Sequence, residues 1–187
     1  MIFEHWVYST AIAIIAGMVY YKLTSRDYSW IIIGSAYVPD LDFIADRIFK
    51  KIDITILVYG DPIKHGDFHN IAVLLLFAVS AALLLQIVGI RLVDSFIFAG
   101  IGFGAHLFED ALVFNPGYRF FWPLLTQKFG IGIMGYNRDW YGIADKEVLV
   151  IGLVAVILCA AIRTAYEGKG WIRRMVYLDP LDYINRR

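Results

Sequence analysis

The sequence contains four histidines, and three of them stand in short polar groups with acidic residues. His65 and His69 are four residues apart, and so are His106 and Asp110. Residues four apart on a helix share a face, so each pair could direct two ligand atoms at one point. Imidazole and carboxylate together suit Zn²⁺, Mn²⁺ or Fe, whereas Ca²⁺ and Mg²⁺ prefer all-oxygen shells. These two pairs therefore predict a transition-metal site.

Two further stretches supply polar residues of the same kind. Asp40 and Asp42 flank a single residue just after Pro39, which is a natural loop source of oxygen ligands. His5 precedes the first apolar run, where a lone histidine is more often an interfacial anchor than a metal ligand. Together these candidates exceed the four ligands that one zinc ion needs. They predict either two metals, or one metal with hydrogen-bonding partners behind its ligands and a general base.

The elements that must position these residues are long apolar segments. Of the 187 residues, 59% are hydrophobic and 18% charged, and the mean hydropathy is +0.62. A soluble domain of this size is rarely so apolar. Because a membrane-spanning helix needs about 20 apolar residues, the sequence predicts an all-α, polytopic membrane helical bundle of about five spans. The predicted spans are residues 6–23, 29–44, 70–90, 93–114 and 147–166.

The second of these segments is predicted to be short or broken. Its uninterrupted apolar part ends at Pro39 after about ten residues, which rise only about 15 Å, roughly half the hydrocarbon thickness. Either the helix breaks inside the membrane, or Asp40 and Asp42 lie submerged. Irregular backbone at such depth is tolerated only where protein buries it or water lines it.

Two stretches rich in aromatic residues are predicted to lie at the membrane surface. The 117–146 loop holds eight aromatic side chains, a density that favours the headgroup region. The tail, residues 167–187, mixes aromatic residues with arginines and could lie along the surface as an amphipathic segment. The chain as a whole is predicted to be a single integral membrane domain, 1–187, with its metal-site core at 1–123 and its last span at 147–166.

Alternating the predicted spans across the membrane brings all candidate ligands to one side. They stand at the start of the first span, the end of the second, the start of the third and the last third of the fourth. Ionisable groups inside a membrane are costly, so His106 and Asp110 indicate a functional site. Basic residues are denser in the shorter segments of the opposite side, which the positive-inside rule assigns to the cytoplasm. The site is therefore predicted to face the extracytoplasmic side, with a cytoplasmic tail at 167–187.

The net charge and the cysteine count exclude two features, a nucleic-acid partner and an intramolecular disulfide. The formal net charge is zero, which argues against a nucleic-acid partner. The single cysteine, Cys159, lies in an apolar run and cannot form an intramolecular disulfide.

Taken together, the polar motifs resemble those of the YdjM-like family of membrane-bound, metal-dependent hydrolases. The resemblance covers residues 5–123 and depends on His5, Pro39-Asp40-Leu41-Asp42, His65-Gly66-Asp67-Phe68-His69, His106-Leu107-Phe108-Glu109-Asp110, Asn115-Pro116-Gly117 and Phe121-Trp122-Pro123. The family commonly has a hydroxyl residue on each side of the second histidine of the 65–69 segment, where this chain has Phe68 and Asn70. The resemblance implies metal-binding roles for His5, Asp40, Asp42, His65, His69, His106 and Asp110.

Ligand types and resemblance predict a metal-dependent hydrolase that acts on a phosphoester of a membrane lipid or a lipid-linked substrate. Zinc is the expected cofactor, with manganese or iron as alternatives and one or two ions bound. Glu109 and Asp67 are the candidate general bases, because each stands beside ligands without an obvious ligand register. Lys64 and Arg119 are candidates for holding the substrate phosphate, and the 117–146 loop for a lid or an access ramp.

Two other functions use the same residues. A metal or proton transporter would need a polar path to both membrane faces, and the half of the fourth span between Asp94 and Gly104 offers little polarity. A structural membrane protein would use the metal only to hold a short, broken bundle together.

Overall fold

The computed structural model describes residues 2–58, 60–142 and 144–176. The described residues form seven helices and are 62% helical, which confirms the predicted helical class. The helices are α1 (Ile2–Thr24), α2 (Ser29–Ser35), α3 (Leu41–Lys51), α4 (Ile71–Ile87), α5 (Leu92–Val113), α6 (Lys146–Glu167) and α7 (Trp171–Val176). One antiparallel pair of two-residue strands, β1 (Leu57–Val58) and β2 (Asp61–Pro62), interrupts the otherwise helical fold.

Three of the helices are long and apolar enough to cross a membrane, namely Phe3–Thr24 of α1, Leu92–Val113 and Lys146–Glu167. They support an integral membrane protein. The helix α4 is also apolar but has only 17 residues. It starts where Asn70 Oδ1 accepts a hydrogen bond from the Val73 amide at 3.0 Å. The predicted third span is thus shorter than expected, and the described residues give three full-length candidates instead of about five.

The second apolar segment is broken. The helix α2 has seven residues and ends at Ser35, a turn follows over 36–40, and α3 starts at Leu41. Proline lacks a backbone N–H and disfavours helical conformation in the residue before it, so Pro39 prevents α2 from continuing. The segment 29–44 is therefore short and broken, as predicted, and α3 runs on to Lys51 as a separate helix.

The short helix α2 lies between α1 and α5 and anchors the core of the bundle. Its buried Ile31 and Ile32 share one hydrophobic cluster with Ala13 of α1 and with Phe98 and Ala99 of α5. Helix α6 packs along α1, and α4 packs along α5. Both outer helices leave many of their apolar side chains exposed, as expected of helices that face lipid.

At Gly102, α5 approaches the backbone of α2 very closely. A Cβ atom on Gly102 would lie 2.4 Å from the carbonyl oxygen of Ile32 and 2.7 Å from Cβ of Ser35. Small residues permit such close helix contacts in membrane proteins. His106 follows one turn later on the same face of α5, so this contact also sets where His106 lies against the end of α2.

A buried ion pair joins the elements at the opposite end of the bundle. Arg163 of α6 is fully buried, and its Nη2 donates to Asp27 Oδ2 at 2.5 Å. The same guanidinium donates to the carbonyl oxygen of Ile14 at 3.2 Å and to Glu167 Oε2 at 3.3 Å. A buried charge is tolerated only when it is paired and hydrogen-bonded, so these contacts fix α6 against α1 and the loop before α2.

The long connection from α5 to α6 contains no helix among its described residues and folds back over the end of α5. The Ile131 amide donates to the carbonyl oxygen of Ala111 at 2.6 Å, and Phe129 pairs with Tyr118 in an antiparallel bridge. Several large apolar side chains of this loop remain exposed: Phe121, Leu124, Leu125, Phe129, Ile131, Ile133, Trp140 and Tyr141. Their exposure fits the predicted position at the membrane surface.

The first part of the predicted tail docks on the bundle. Trp171 at the start of α7 is buried, and its Nε1 donates to Thr164 Oγ1 at 2.9 Å. This side chain therefore packs on α6. The rest of the predicted tail, 177–187, lies outside the described residues.

Replacing Gly102 with alanine is expected to lower the thermal stability of the protein in detergent. The new methyl group has no room against the backbone of α2, and overpacking of this kind costs about 1–3 kcal/mol. Gly104→Ala is the matched control, because its nearest neighbour would be Leu74 Cδ1 at 3.7 Å. Alanine favours a helix over glycine by about 1 kcal/mol, so this control should melt at or above the wild-type temperature. Equal melting temperatures, measured by intrinsic fluorescence, would contradict the close contact.

Candidate metal centre

The predicted convergence of polar residues at one end of the bundle is confirmed. His5 lies in the first turns of α1, Asp40 in the break between α2 and α3, and His69 just before α4. His106 and Asp110 lie in the last two turns of α5. Three groups drawn from the histidines and aspartates here have ligand atoms within 4.8 Å of one another.

The innermost part of the cluster joins two imidazoles and a carboxylate. Nε2 of His69 lies 3.2 Å from Nε2 of His106 and 3.2 Å from Asp110 Oδ2. Nε2 of His106 lies 3.5 Å from the same Asp110 oxygen. Nε2 of His5 completes this side at 3.6 Å from Asp110 Oδ1. All four side chains are buried, so a cation or shared protons must balance atoms this close.

In His106 and His5, Nδ1 takes part in a hydrogen bond, so that Nε2 remains available for a metal. Nδ1 of His106 lies 2.7 Å from the carbonyl oxygen of Ala36, which can only accept, so Nδ1 carries the proton. Nδ1 of His5 lies 2.7 Å from Glu109 Oε2, and it donates to that oxygen when Glu109 is ionised. A carbonyl or carboxylate behind the second ring nitrogen is the usual arrangement of metal-binding histidines. The donor set therefore fits a transition metal bound through Nε2.

Asp40 links the inner cluster to a more accessible one. Its Oδ1 lies 3.6 Å from Nε2 of His69 and 3.7 Å from Nε2 of His106. Asp40 also belongs to a group with His65 and His69, and His65 is 48% exposed in its side chain. The site is thus open on the side of Asp40 and His65. Asp40 could therefore hold a metal together with either group.

Asp42 is outside the three groups and instead organises the 65–69 loop. Its carboxylate accepts hydrogen bonds from His65 Nδ1 at 3.0 Å and from the amides of Gly66 at 2.7 Å and Phe68 at 3.2 Å. Burial raises the pKa of Asp42, but the contacts with His65 and His69 outweigh burial and hold it well below its usual range. Asp42 therefore stays charged and fixes two histidines.

The electrostatics at His69 favour a positive charge. Burial alone would lower the pKa of His69, but the carboxylates of Asp110, Asp40 and Asp42, at 3.2, 3.6 and 3.3 Å from its ring nitrogens, raise it well above the ordinary value. The carboxylates therefore concentrate negative potential at this point. A divalent cation would meet the same field and would take the place of that proton.

The two predicted general bases occupy different surroundings. Glu109 is buried behind His5, and its Oε1 has no hydrogen-bond partner. Asp67 closes a turn, with Oδ2 accepting from the Lys64 amide at 2.8 Å, and burial raises its pKa. Neither carboxylate belongs to the three groups of possible ligands.

The two predicted phosphate-binding residues, Lys64 and Arg119, also have different surroundings. The ammonium of Lys64 lies at the surface, 3.1 Å from Asp61 Oδ2, and so points to the hairpin. Arg119 follows Tyr118 in the loop and lies close enough to Asp67 to lower the pKa of that carboxyl against the effect of burial.

Tyr118 covers the site, although the sequence placed it only among the interfacial aromatics. Its ring lies 4.4 Å from the ring of His69, and its hydroxyl lies 3.3 Å from Nε2 of His65. Gly66 makes room for it: a Cβ there would lie 2.6 Å from the Tyr118 ring, and its φ of +99° also favours glycine. The glycine between His65 and His69 is the sequence feature that could have indicated a side chain packed closely against this loop.

The structure thus defines a membrane-embedded helical protein with a cluster of histidines and aspartates at one end. The sequence matches the model of the YdjM inner membrane protein family over residues 1–170. The chain belongs to this family, as the motifs predicted. No curated protein and no solved structure matches the chain.

Wild-type protein purified in detergent is expected to contain a transition metal in stoichiometric amount, measured by elemental analysis. His106→Ala and Asp40→Ala should lose most of it, because each removes an atom of the inner cluster. Asp46→Ala is the control, since this carboxylate lies on α3 and pairs with Lys50 at 2.7 Å. If both cluster variants keep the wild-type metal content, the ligand assignment is wrong.

Two substitutions of Glu109 distinguish a role in positioning His5 from a role as general base. If it orients His5, Glu109→Ala should reduce metal affinity about 10–100-fold, while Glu109→Gln keeps an accepting oxygen and most of the metal. If it is the base, both variants should keep their metal and lose hydrolysis equally. Metal titration of the two purified variants beside wild type distinguishes these outcomes, and we expect the first.

Proposed function

We propose that this protein is a membrane-embedded, metal-dependent hydrolase of a phosphoester in a lipid or lipid-linked substrate. One observation carries the proposal: three imidazoles and two carboxylates converge in a buried cluster that opens to one side. Such a donor set suits zinc, with manganese or iron as alternatives. The hydroxyl of Tyr118 and half-exposed His65 line the opening, where a substrate group would arrive.

In this proposal His5, His69, His106, Asp40 and Asp110 hold the metal. A divalent metal there would supply Lewis acidity, which activates water and polarises a phosphoryl oxygen. Glu109 and the carbonyl of Ala36 keep two of the imidazoles in the correct tautomer and orientation. Because Glu109 is expected to position His5, the general base in this proposal is Asp67, or the His65 imidazole that Asp42 holds at the opening.

The number of ions decides the role of His65. With two ions, His65 joins His69 and Asp40 around the second. With one ion, Nε2 of His65 is directed at the opening beside the Tyr118 hydroxyl, while Asp42 accepts from its Nδ1. A histidine held by a carboxylate in this way is suited to accept a proton from water.

A lipid phosphoester suits the position of the opening. The Tyr118 cover belongs to the α5–α6 loop, which exposes large apolar side chains such as Leu124 and Ile133. These residues favour contact with lipid, and a headgroup phosphate at the surface would lie near the site. In this proposal Arg119, directly after Tyr118, remains the better of the two predicted phosphate-binding residues.

The fold gives less support to a transporter with the same cluster. A polar path would have to pass the layer of buried Ile31, Ile32, Phe98 and Ala99 that lies between the cluster and the Arg163 ion pair. The structural role is also less well supported, because a metal that only holds helices together does not need the solvent access that Asp40 and His65 provide.

The test is hydrolysis by the purified, metal-loaded protein in liposomes that contain a panel of phospholipids and lipid-linked phosphates. We expect release of a phosphorylated headgroup or phosphate, its loss on treatment with chelator, and a drop of about 100-fold or more in His106→Ala. Asp46→Ala should hydrolyse at the wild-type rate. Ion flux without hydrolysis of any ester would favour the transporter, and metal-dependent melting with neither activity would favour the structural role.

A further inference from the structure

The helix α3 stands apart from the rest of the bundle. It follows the break after α2 directly, yet it makes no extended contact with any other helix in the described part of the chain. Only its first turn enters the interior, where Asp42 is fully buried in the metal centre. The remaining two turns or so of its 11 residues therefore need another reason to be helical, because short isolated helices are unstable in water.

One face of α3 is turned to its own chain. Asp46, Phe49 and Lys50 line a groove whose other wall is formed by the loop around β1 and β2, including Ile56 and Ile63. These positions and Asp42 lie on the same side of the helix at 100° per residue. The opposite side is then the one without a protein neighbour.

That opposite side is a continuous aliphatic stripe. It consists of Leu41, Ile44, Ile48 and, just past the helix, Ile52, which are 45%, 50%, 52% and 54% exposed. Their spacing of three and four residues places them in one row along the helix. Four large aliphatic side chains in one row form an apolar surface that water would not cover without cost.

The charges beside the stripe indicate what covers it. Exposed Arg47 and Lys51 lie along one edge of the row, where long cationic side chains can reach phosphates while their stems stay on apolar surface. An apolar row with cations at its edge is the pattern of a helix that lies in a membrane interface. The chain leading into α3 comes from α2, which is packed between two membrane-spanning helices.

We propose that α3 is an in-plane membrane anchor whose aliphatic stripe inserts into the interface of a phospholipid bilayer. The anchor holds Asp42, and through Asp42 the 65–69 loop, at the level of the lipid headgroups. Asp40 lies immediately before α3, so the same anchor fixes the accessible edge of the metal centre relative to the bilayer. This role is independent of which reaction the centre performs.

The test measures the depth of two neighbouring positions on opposite faces of α3. Full-length protein carrying Cys159→Ser receives a single spin label at Ile48→Cys or at Lys50→Cys, and is reconstituted in phospholipid bilayers. Oxygen concentrates in the bilayer, whereas a neutral nickel chelate stays in water, so their relative effects on the label report depth. Size-exclusion elution identical to that of the unlabelled protein confirms the fold, and Ile44→Cys provides a second label on the stripe.

We expect the Ile44 and Ile48 labels to be accessible to oxygen and protected from nickel, at a depth of about 5–10 Å. The Lys50 label should show the reverse. Two results would overturn the proposal. Equal nickel access on both faces would place α3 in water, and protection of the Ile48 label from both reagents would mean that protein, for example a second copy of the chain, covers the stripe.

Discussion

The interruption of the second apolar segment is the constraint on which the rest of the site depends. Because α2 stops after seven residues, about a third of the length of a membrane span, the carbonyl of Ala36 is released from the helix and accepts from His106. The same interruption presents Asp40 to the imidazoles and begins α3 with Asp42 facing inward. A continuous helix would have used that carbonyl internally and carried the two aspartates past the cluster.

Close packing of α5 against α2 brings His106 to the carbonyl that this interruption releases. Gly102 lets α5 approach the backbone of α2, and His106 one turn later meets the released carbonyl. At the other end of the bundle the Arg163–Asp27 pair fixes α6 and α1. A layer of buried apolar side chains separates the two polar ends. The bundle therefore keeps the Arg163–Asp27 pair at one end and the histidine–aspartate cluster at the other, each grouping side chains of opposite charge, as expected where charge is buried in a membrane protein.

The accessible side of the cluster is built from segments that lie outside the long helices. Tyr118 comes from the loop after α5, His65 from the turn before α4, and Asp40 from the break. Each is held by something more rigid: the bridge to Phe129, the carboxylate of Asp42, and the packing of α2. Such loops on a fixed scaffold are where binding and catalytic groups are expected, and in the proposed function they would meet a substrate at the lipid interface.

The sequence alone determined the types of side chain in the cluster, the membrane location, the family and the meeting of the polar residues at one end. These follow from residue chemistry, from apolar run length and from alternation of spans, none of which needs three-dimensional detail. The break was also predictable, because the apolar run is too short and ends in Pro39. Only the tertiary structure decided that Asp42 and Glu109 support histidines, that Tyr118 covers the site, and that α3 leaves the bundle. Those roles depend on which atoms meet across more than 20 residues of chain, as in the 104-residue separation of His5 and Glu109. Packing, and not local sequence, selects such contacts.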